Sequence, residues 1–406
     1  MALARSVSIA AAPQAARRLG ADQHMSRINW HSDLEQVRKE LPRLHPDFFS
    51  AKNEAEFHAR LDQLQNNAEN MDTYSIVMEI ARIVGTAKDA HTAVMLPQNY
   101  RLPFDCYPFA EGLYITATDS DHKELLHSRI ESIGGHETAT ILARMSEIIP
   151  HENRQFVLSS LPSFVICADI LYGVGLITSP EETVVTVASK QGKIFERTIK
   201  TLPYDDYQAL PDPSHNMPLY RQHRDKYYWS SFDNGLLYIN YSKCKNMEDI
   251  AVGGFAESLR AELSANKGIR KIVIDLRHNR GGNSELFRPF LAWLCREESL
   301  NQRGKLFVLV GRDTFSSAAL NAYYLKFNTK ALFVGEPTGA KPNHFGEVQY
   351  LELESSGLLI RYSTKYYELI EDDAQQSLVP DIECEVSFKD YSQGIDSFLA
   401  AVVAGK

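Results

Sequence analysis

The residues best suited to chemistry crowd into 271–346 of this 406-residue chain. A run of β-forming residues, Lys305 to Val310, leads straight into Gly311-Arg312-Asp313-Thr314-Phe315-Ser316-Ser317-Ala318-Ala319. From Ala318 to Asn328 the apolar residues fall three and four apart, the spacing of a helix. Ser316 and Ser317 therefore stand where a buried strand becomes a helix. The first helical N–H groups have no partner within the helix there, and they carry partial positive charge. A hydroxyl at that point can cap the helix. It can also be a nucleophile whose developing oxyanion falls among free N–H donors.

Two flanking stretches have the same strand-then-turn form. Lys271 to Leu276 reads as a buried strand that continues through Arg277-His278-Asn279-Arg280 into Gly281-Gly282. Paired glycines after a strand let the backbone take positive φ or approach a ligand closely. Phe333-Val334-Gly335-Glu336-Pro337-Thr338-Gly339-Ala340-Lys341 is a third strand followed by a loop punctuated by Gly and Pro. A loop lysine is ordinarily a solvated charge. Far upstream, Lys88-Asp89-Ala90-His91-Thr92 is a turn entering a strand, where a histidine is ordinarily structural.

Taken together, these pieces resemble the tail-specific, or C-terminal-processing, serine peptidases. That family shares its core with the tricorn protease and the interphotoreceptor retinoid-binding repeats. The matching residues are Ile274-Asp275-Leu276-Arg277 with Asn279 and Gly281-Gly282, the Thr314-x-Ser316 turn, and Val334-Gly335-Glu336-Pro337-Thr338-Gly339-x-Lys341. The last match is Pro380-Asp381-Ile382 with Gly394-Ile395-Asp396. They cover most of residues 236–400.

The resemblance implies a serine-type peptidase (a hydrolase) working through an acyl-enzyme on Ser316, with Ser317 as the alternative hydroxyl. The oxyanion donors would be the Ser317 N–H and an N–H of Gly281 or Gly282. Two residues compete as general base. Lys341 stands at the Ser-to-Lys interval of one branch of the family, and His91 matches the histidine of the tricorn-like branch. A lysine base must be neutral, so a pKa near 10.4 would have to fall by about 3, at a cost of about 4 kcal/mol. An imidazole titrates near neutrality already, but needs a carboxylate to orient it. Asp89, Glu347 and Glu368 are the candidates. Ala319 stands where the Ser/Lys branch often has Glu.

The fold expected is α/β: a crotonase-like ββα spiral core with an N-terminal helical bundle and a PDZ-like β-rich insert. The boundaries read as a leader over 1–24, the bundle over 25–105, the insert over 106–205 and the core over 206–406. The capping-box form of Ser32 with Glu35 opens a first helix that stops near Pro42. Helices follow over 54–67 and 73–85. In the insert, strand-like runs, the Gly134-Gly135 turn, a helix from Thr138 and a hairpin about Gln191-Gly192 have PDZ-like order. About 25 residues from His151 to Leu176 have no counterpart in such a module. Residues 202–218 read as a linker.

Net charge −9 argues against a nucleic-acid partner, and no apolar run is long enough to span a bilayer. Five scattered cysteines carry no disulfide framework. No His or carboxylate spacing implies a metal, and no cofactor is expected. The partner implied is a peptide or unfolded protein tail. The weak apolar segment near the start favours a cytoplasmic protein, whereas a processed leader would make it periplasmic or secreted. The alternative class is a non-catalytic ligand- or peptide-binding module on the same fold.

Overall fold

The computed structural model describes residues 28–210, 217–372 and 374–404; the leader expected over 1–24 lies outside them. The chain is α/β, and its C-terminal half is built on a six-stranded sheet. In spatial order the strands are Tyr228–Asp233, Leu236–Tyr241, Lys271–Asp275, Leu306–Val310, Leu332–Gly335 and Ile382–Glu383. The first pair is an antiparallel hairpin, and every later pairing is parallel. Helices Val252–Ala265, Arg288–Arg296 and Ser317–Asn328 connect successive parallel strands.

A parallel sheet with both faces covered needs strands that are apolar throughout. Leu306–Val310 meets that demand, being buried at all five positions. Ile272, Ile274 and Val308 face Phe255, Leu259 and Phe290 of the connecting helices. Val273, Phe307 and Leu309 face Phe398 and Val402 of the last helix, Ser397–Ala404.

The N-terminal helices Trp30–Leu44, Glu54–Asn67 and Thr73–Gly85 form where expected. The first begins earlier than the capping-box reading, because Asn29, not Ser32, caps it by accepting from the Ser32 N–H (3.1 Å). It also runs through Pro42. A proline that close to a helix end removes a single backbone bond, and the helix ends two residues later at Leu44.

In the insert, strands Phe104–Phe109, Gly112–Thr118, Arg129–Ile133, Glu182–Ala188 and Ile194–Lys200 make one antiparallel sheet. Helix Thr138–Ile148 packs beside it. The stretch expected to be surplus to a PDZ-like module forms two helices, Arg154–Val165 and Ala168–Gly173. One apolar cluster runs from the N-terminal helices through the insert to Phe315, Ala319 and Ala340. Of the expected linker, Leu202–Pro203 pairs with Tyr100–Arg101, and 211–216 lie outside the described residues.

A three-stranded sheet matters most for function. Its strands are Ala93–Val94, Leu359–Tyr367 and His344–Glu352, with Ala93 opposite Arg361. This pairing carries the turn around His91 across more than two hundred residues of sequence onto the C-terminal half.

His127 ties the insert to the C-terminal segment, standing edge-on to Phe388 and Tyr391 at 5.7 and 6.4 Å. Burial, and then the charges of Lys190 and Arg221, push its pKa down to about 4. In the unfolded chain it titrates near 6.5. The neutral ring's contribution is therefore intact above about pH 6.5 and is lost as pH falls toward 4. Thermal melts should show a steeper fall in Tm across that interval for the native chain than for His127→Phe.

Candidate active site

The Thr314-x-Ser316 turn is held from every side. Thr314 Oγ1 accepts from the Gly311 N–H (3.0 Å) and donates to the Leu276 carbonyl (2.9 Å). The Phe315 N–H donates to the Asn279 carbonyl (3.1 Å). Arg312 makes a buried ion pair with Glu336, and its guanidinium also donates to the Pro108 carbonyl (2.8 Å). The Asp313 carboxylate accepts from Ser159 and lies 3.4 Å from His278 Nδ1.

Held so tightly, Ser316 takes φ 52 and ψ −128. Few residues other than glycine adopt that region, at a cost of about 1–3 kcal/mol. Ser316 occupies the N-cap position of helix Ser317–Asn328, yet its side chain makes no capping hydrogen bond. It is only half-buried. Capping is thus not what its hydroxyl does. Strain at a sharp strand-to-helix turn is the geometry that lifts a nucleophilic serine clear of the sheet.

Ser317 differs. Its hydroxyl donates to the Gly282 carbonyl (2.8 Å), fastening the helix to the Gly-Gly turn. That bond makes Ser317 a brace between the helix and the turn. Gly281 and Gly282 have φ 107 and 133. A Cβ on Gly281 would sit 2.9 Å from Ser316 Cβ and 3.1 Å from the Ser317 nitrogen. One on Gly282 would sit 2.2 Å from the Cys244 carbonyl oxygen. Only glycine fits either position. The Gly281 N–H is engaged with Asn279 Oδ1 (2.9 Å). This leaves the N–H groups of Gly282 and Ser317, which have no hydrogen-bond partner among the described residues.

His91 lies beside this turn. Its imidazole stacks on Phe315, with ring centres 4.4 Å apart and planes at 24°, and lies near-parallel to the His344 ring at 5.9 Å. The residue is 6% exposed, and neither ring nitrogen has a hydrogen-bond partner among the described residues. Arg361 clamps the turn from behind by donating to the carbonyls of His91 (2.7 Å) and Ala90 (3.0 Å).

Of the three carboxylates expected to orient His91, Asp89 is the one within ion-pair reach, its Oδ1 3.7 Å from Nδ1. Glu347 instead accepts from the Tyr367 hydroxyl (2.6 Å), and both it and Glu368 are exposed. Asp89 is fully buried. Its Oδ2 accepts from Thr92 (2.5 Å) and Ser363 (2.6 Å) and lies 3.2 Å from His45 Nε2. Burial opposes its ionised form, yet the His45 bond, the His91 imidazole and the Ser363 bond hold its carboxyl well below the usual carboxylate range.

Sequence reasoning missed Glu152. Its Oε1 accepts from the Ala90 N–H (3.0 Å), while Oε2 is buried without a partner. Burial and then the Asp89 charge push its carboxyl up to about 8. No signal connects Glu152 to His91 in the sequence, 61 positions apart in a segment read as surplus. That same segment supplies Phe156, whose ring packs tilted against Phe315 at 4.5 Å, and Ser160, which accepts from Arg280 (2.9 Å).

Lys341 comes to the same neighbourhood. Its carbonyl lies 3.0 Å from His344 Nδ1, and its charge is felt at Glu152. The side chain is only partly buried.

A cavity of about 530 Å³ opens on the other side of Arg312 and Asp313, lined by Tyr107, Tyr220, Arg277 and Glu336. It does not include Ser316. Cys106, Cys167 and Cys244 are buried and all five cysteines are free. Among the described residues, no helix is long and apolar enough to cross a membrane.

No family model and no curated protein matches this chain. Solved structures do. Mature CPAF complexed with lactacystin is 13% identical, with TM-score 0.63 over 92% of this chain and 97% of that one. A second structure of mature CPAF gives TM-score 0.62 at 13% identity over 92% and 96%. The photosystem II D1 C-terminal processing protease gives TM-score 0.40 at 12% identity over 87% and 92%. At such identities the likeness to CPAF establishes the fold along nearly the whole chain. It agrees with the resemblance that the sequence motifs carry.

Proposed function

We propose that the chain is a serine peptidase of the tail-specific kind, cleaving peptides or unfolded protein tails through an acyl-enzyme on Ser316. What carries the reading is the strained, uncapped and half-exposed Ser316 at the mouth of a helix. A fold would not hold a non-glycine residue there at a cost of about 1–3 kcal/mol merely to end a strand. The likeness in fold to CPAF supports it.

In this reading His91 is the general base. A lysine base needs a dry site. Lys341 is only partly buried. His91 is buried against Phe315 and His344, with Asp89 facing Nδ1. Nδ1 carries the proton toward Asp89, and Nε2 takes the proton of Ser316 Oγ as the hydroxyl attacks the scissile carbonyl. The tetrahedral oxyanion is met by the N–H groups of Gly282 and Ser317. His91 then protonates the leaving amine, and water releases the acyl group by the reverse sequence. Lys341 is left to bind a substrate carboxylate.

The finer architecture belongs to the same proposal: a crotonase-like core over 206–406, a PDZ-like module over 106–205 and a helical bundle over 25–105. Incubation with casein or an unstructured peptide tests the activity. Cleavage by the native chain and none by Ser316→Ala is expected; equal cleavage by both would overturn it.

A further inference from the structure

Asp89, His91 and Glu152 each offer one ligand atom, and the three atoms lie within 4.8 Å of one another. Two of these groups are unsatisfied. Both nitrogens of the buried His91 ring and Oε2 of Glu152 lack partners among the described residues. Leaving such groups buried and unpaired is costly, and a ligand able to accept both lone pairs removes the cost. Asp89 is already braced as a ligand's supporting carboxylate would be. Its Oδ2 takes the bonds from Thr92, Ser363 and His45, while Oδ1 accepts the His91 backbone N–H (2.9 Å) and keeps a lone pair facing the His91 ring at 3.7 Å. Glu152 is anchored in the same way by its other oxygen, through the Ala90 N–H.

We propose that Asp89 Oδ1, His91 Nδ1 and Glu152 Oε2 form a binding site for one divalent transition-metal ion, with Zn²⁺ the best fit. One imidazole and two carboxylates suit zinc, whose bonds to such donors are about 2.0–2.2 Å. The ligand atoms must close in by about an ångström to reach that geometry. The ring can swing against its two stacking partners, and Glu152 can turn about its anchored oxygen. Three protein ligands leave a fourth position for water.

The ion and the proposed catalysis make opposite demands on one ring. Zinc on Nδ1 takes that lone pair and leaves the ring's proton on Nε2. Catalysis needs Nδ1 protonated and Nε2 vacant. Bound zinc therefore silences the peptidase reversibly. This inhibitory consequence rests on the peptidase reading, whereas binding of the ion does not.

Isothermal titration of the full chain with Zn²⁺, and the visible spectrum of the Co²⁺ form, test the site. Expected are one ion per chain, loss of that site in His91→Asn, and at least tenfold weaker binding in the isosteric Glu152→Gln. Far-UV circular dichroism checks that both variants are folded. No stoichiometric binding, or binding unchanged in both folded variants (the mark of ions taken by free cysteines), would overturn the proposal. In parallel, zinc should lower peptide cleavage and a chelator should restore it. Glu152→Gln should need at least tenfold more zinc for the same fractional loss, measured against its own zinc-free rate. Ions bound with cleavage unaffected would sink the inhibitory arm alone.

Discussion

Replacing Ser316 by glycine is expected to give a more stable protein than replacing it by alanine, the reverse of the ordinary order of these two residues. Alanine keeps the Cβ that clashes at φ 52 and ψ −128, so Ser316→Ala retains the strain. Glycine releases about 1–3 kcal/mol of it and loses about 0.5–1 kcal/mol to its freer unfolded chain. The net difference of about 1–2 kcal/mol should appear as a higher denaturation midpoint for Ser316→Gly at unchanged slope. Both variants should lose at least about a thousandfold in kcat, because neither can form the acyl-enzyme. An alanine variant as stable as the glycine one would mean that the turn is relaxed, and the main physical support for a nucleophile at this place would go.

The second large effect separates the two bases. His91→Ala should cut kcat/KM by at least about a thousandfold, and Lys341→Met by no more than about tenfold, chiefly through KM. The asymmetry follows from position: one ring is buried against Phe315 and His344 with a carboxylate facing Nδ1, while the lysine is only partly buried. The opposite ranking would make the lysine the proton acceptor and leave the imidazole as packing. Thermal melts on both variants keep a folding defect from being read as chemistry.

The motifs that made the sequence legible turn out to be supports more than reacting groups. Arg277 pairs with both Asp275 and Asp396, which binds the end of one core strand to the last helix. Asn279 reaches the Tyr241 carbonyl (2.7 Å) and the Gly281 N–H, fixing the Gly-Gly turn. Thr338 braces its own loop through the Ala340 carbonyl and the Leu378 N–H, each at 2.9 Å. The bonds within each motif, Arg277 to Asp275, the Gly281 N–H to Asn279 and Thr338 to the Ala340 carbonyl, each span two positions of chain, so those spacings can be read in one dimension.

The partners of His91 could not be read this way. Asp89 is adjacent in sequence and was one of three choices, but the choice depended on a strand pairing, Ala93 with Arg361, that no local pattern announces. Glu152 and Phe156 come from a segment that local reading treated as surplus, and their approach to Phe315 and Ala90 is purely tertiary. The strands and most helices were legible from period and turn residues. Their ends shifted where one side chain supplied a cap, as at Asn29.

The central claim is that one particular hydroxyl is activated, and it can be tested directly by treating the folded native chain with a fluorophosphonate and locating the adduct by peptide mass spectrometry. A single adduct on Ser316, absent after unfolding and strongly reduced in His91→Ala, is the predicted result. An adduct-free protein, or one modified at another residue while Ser316 stays intact, would contradict the account.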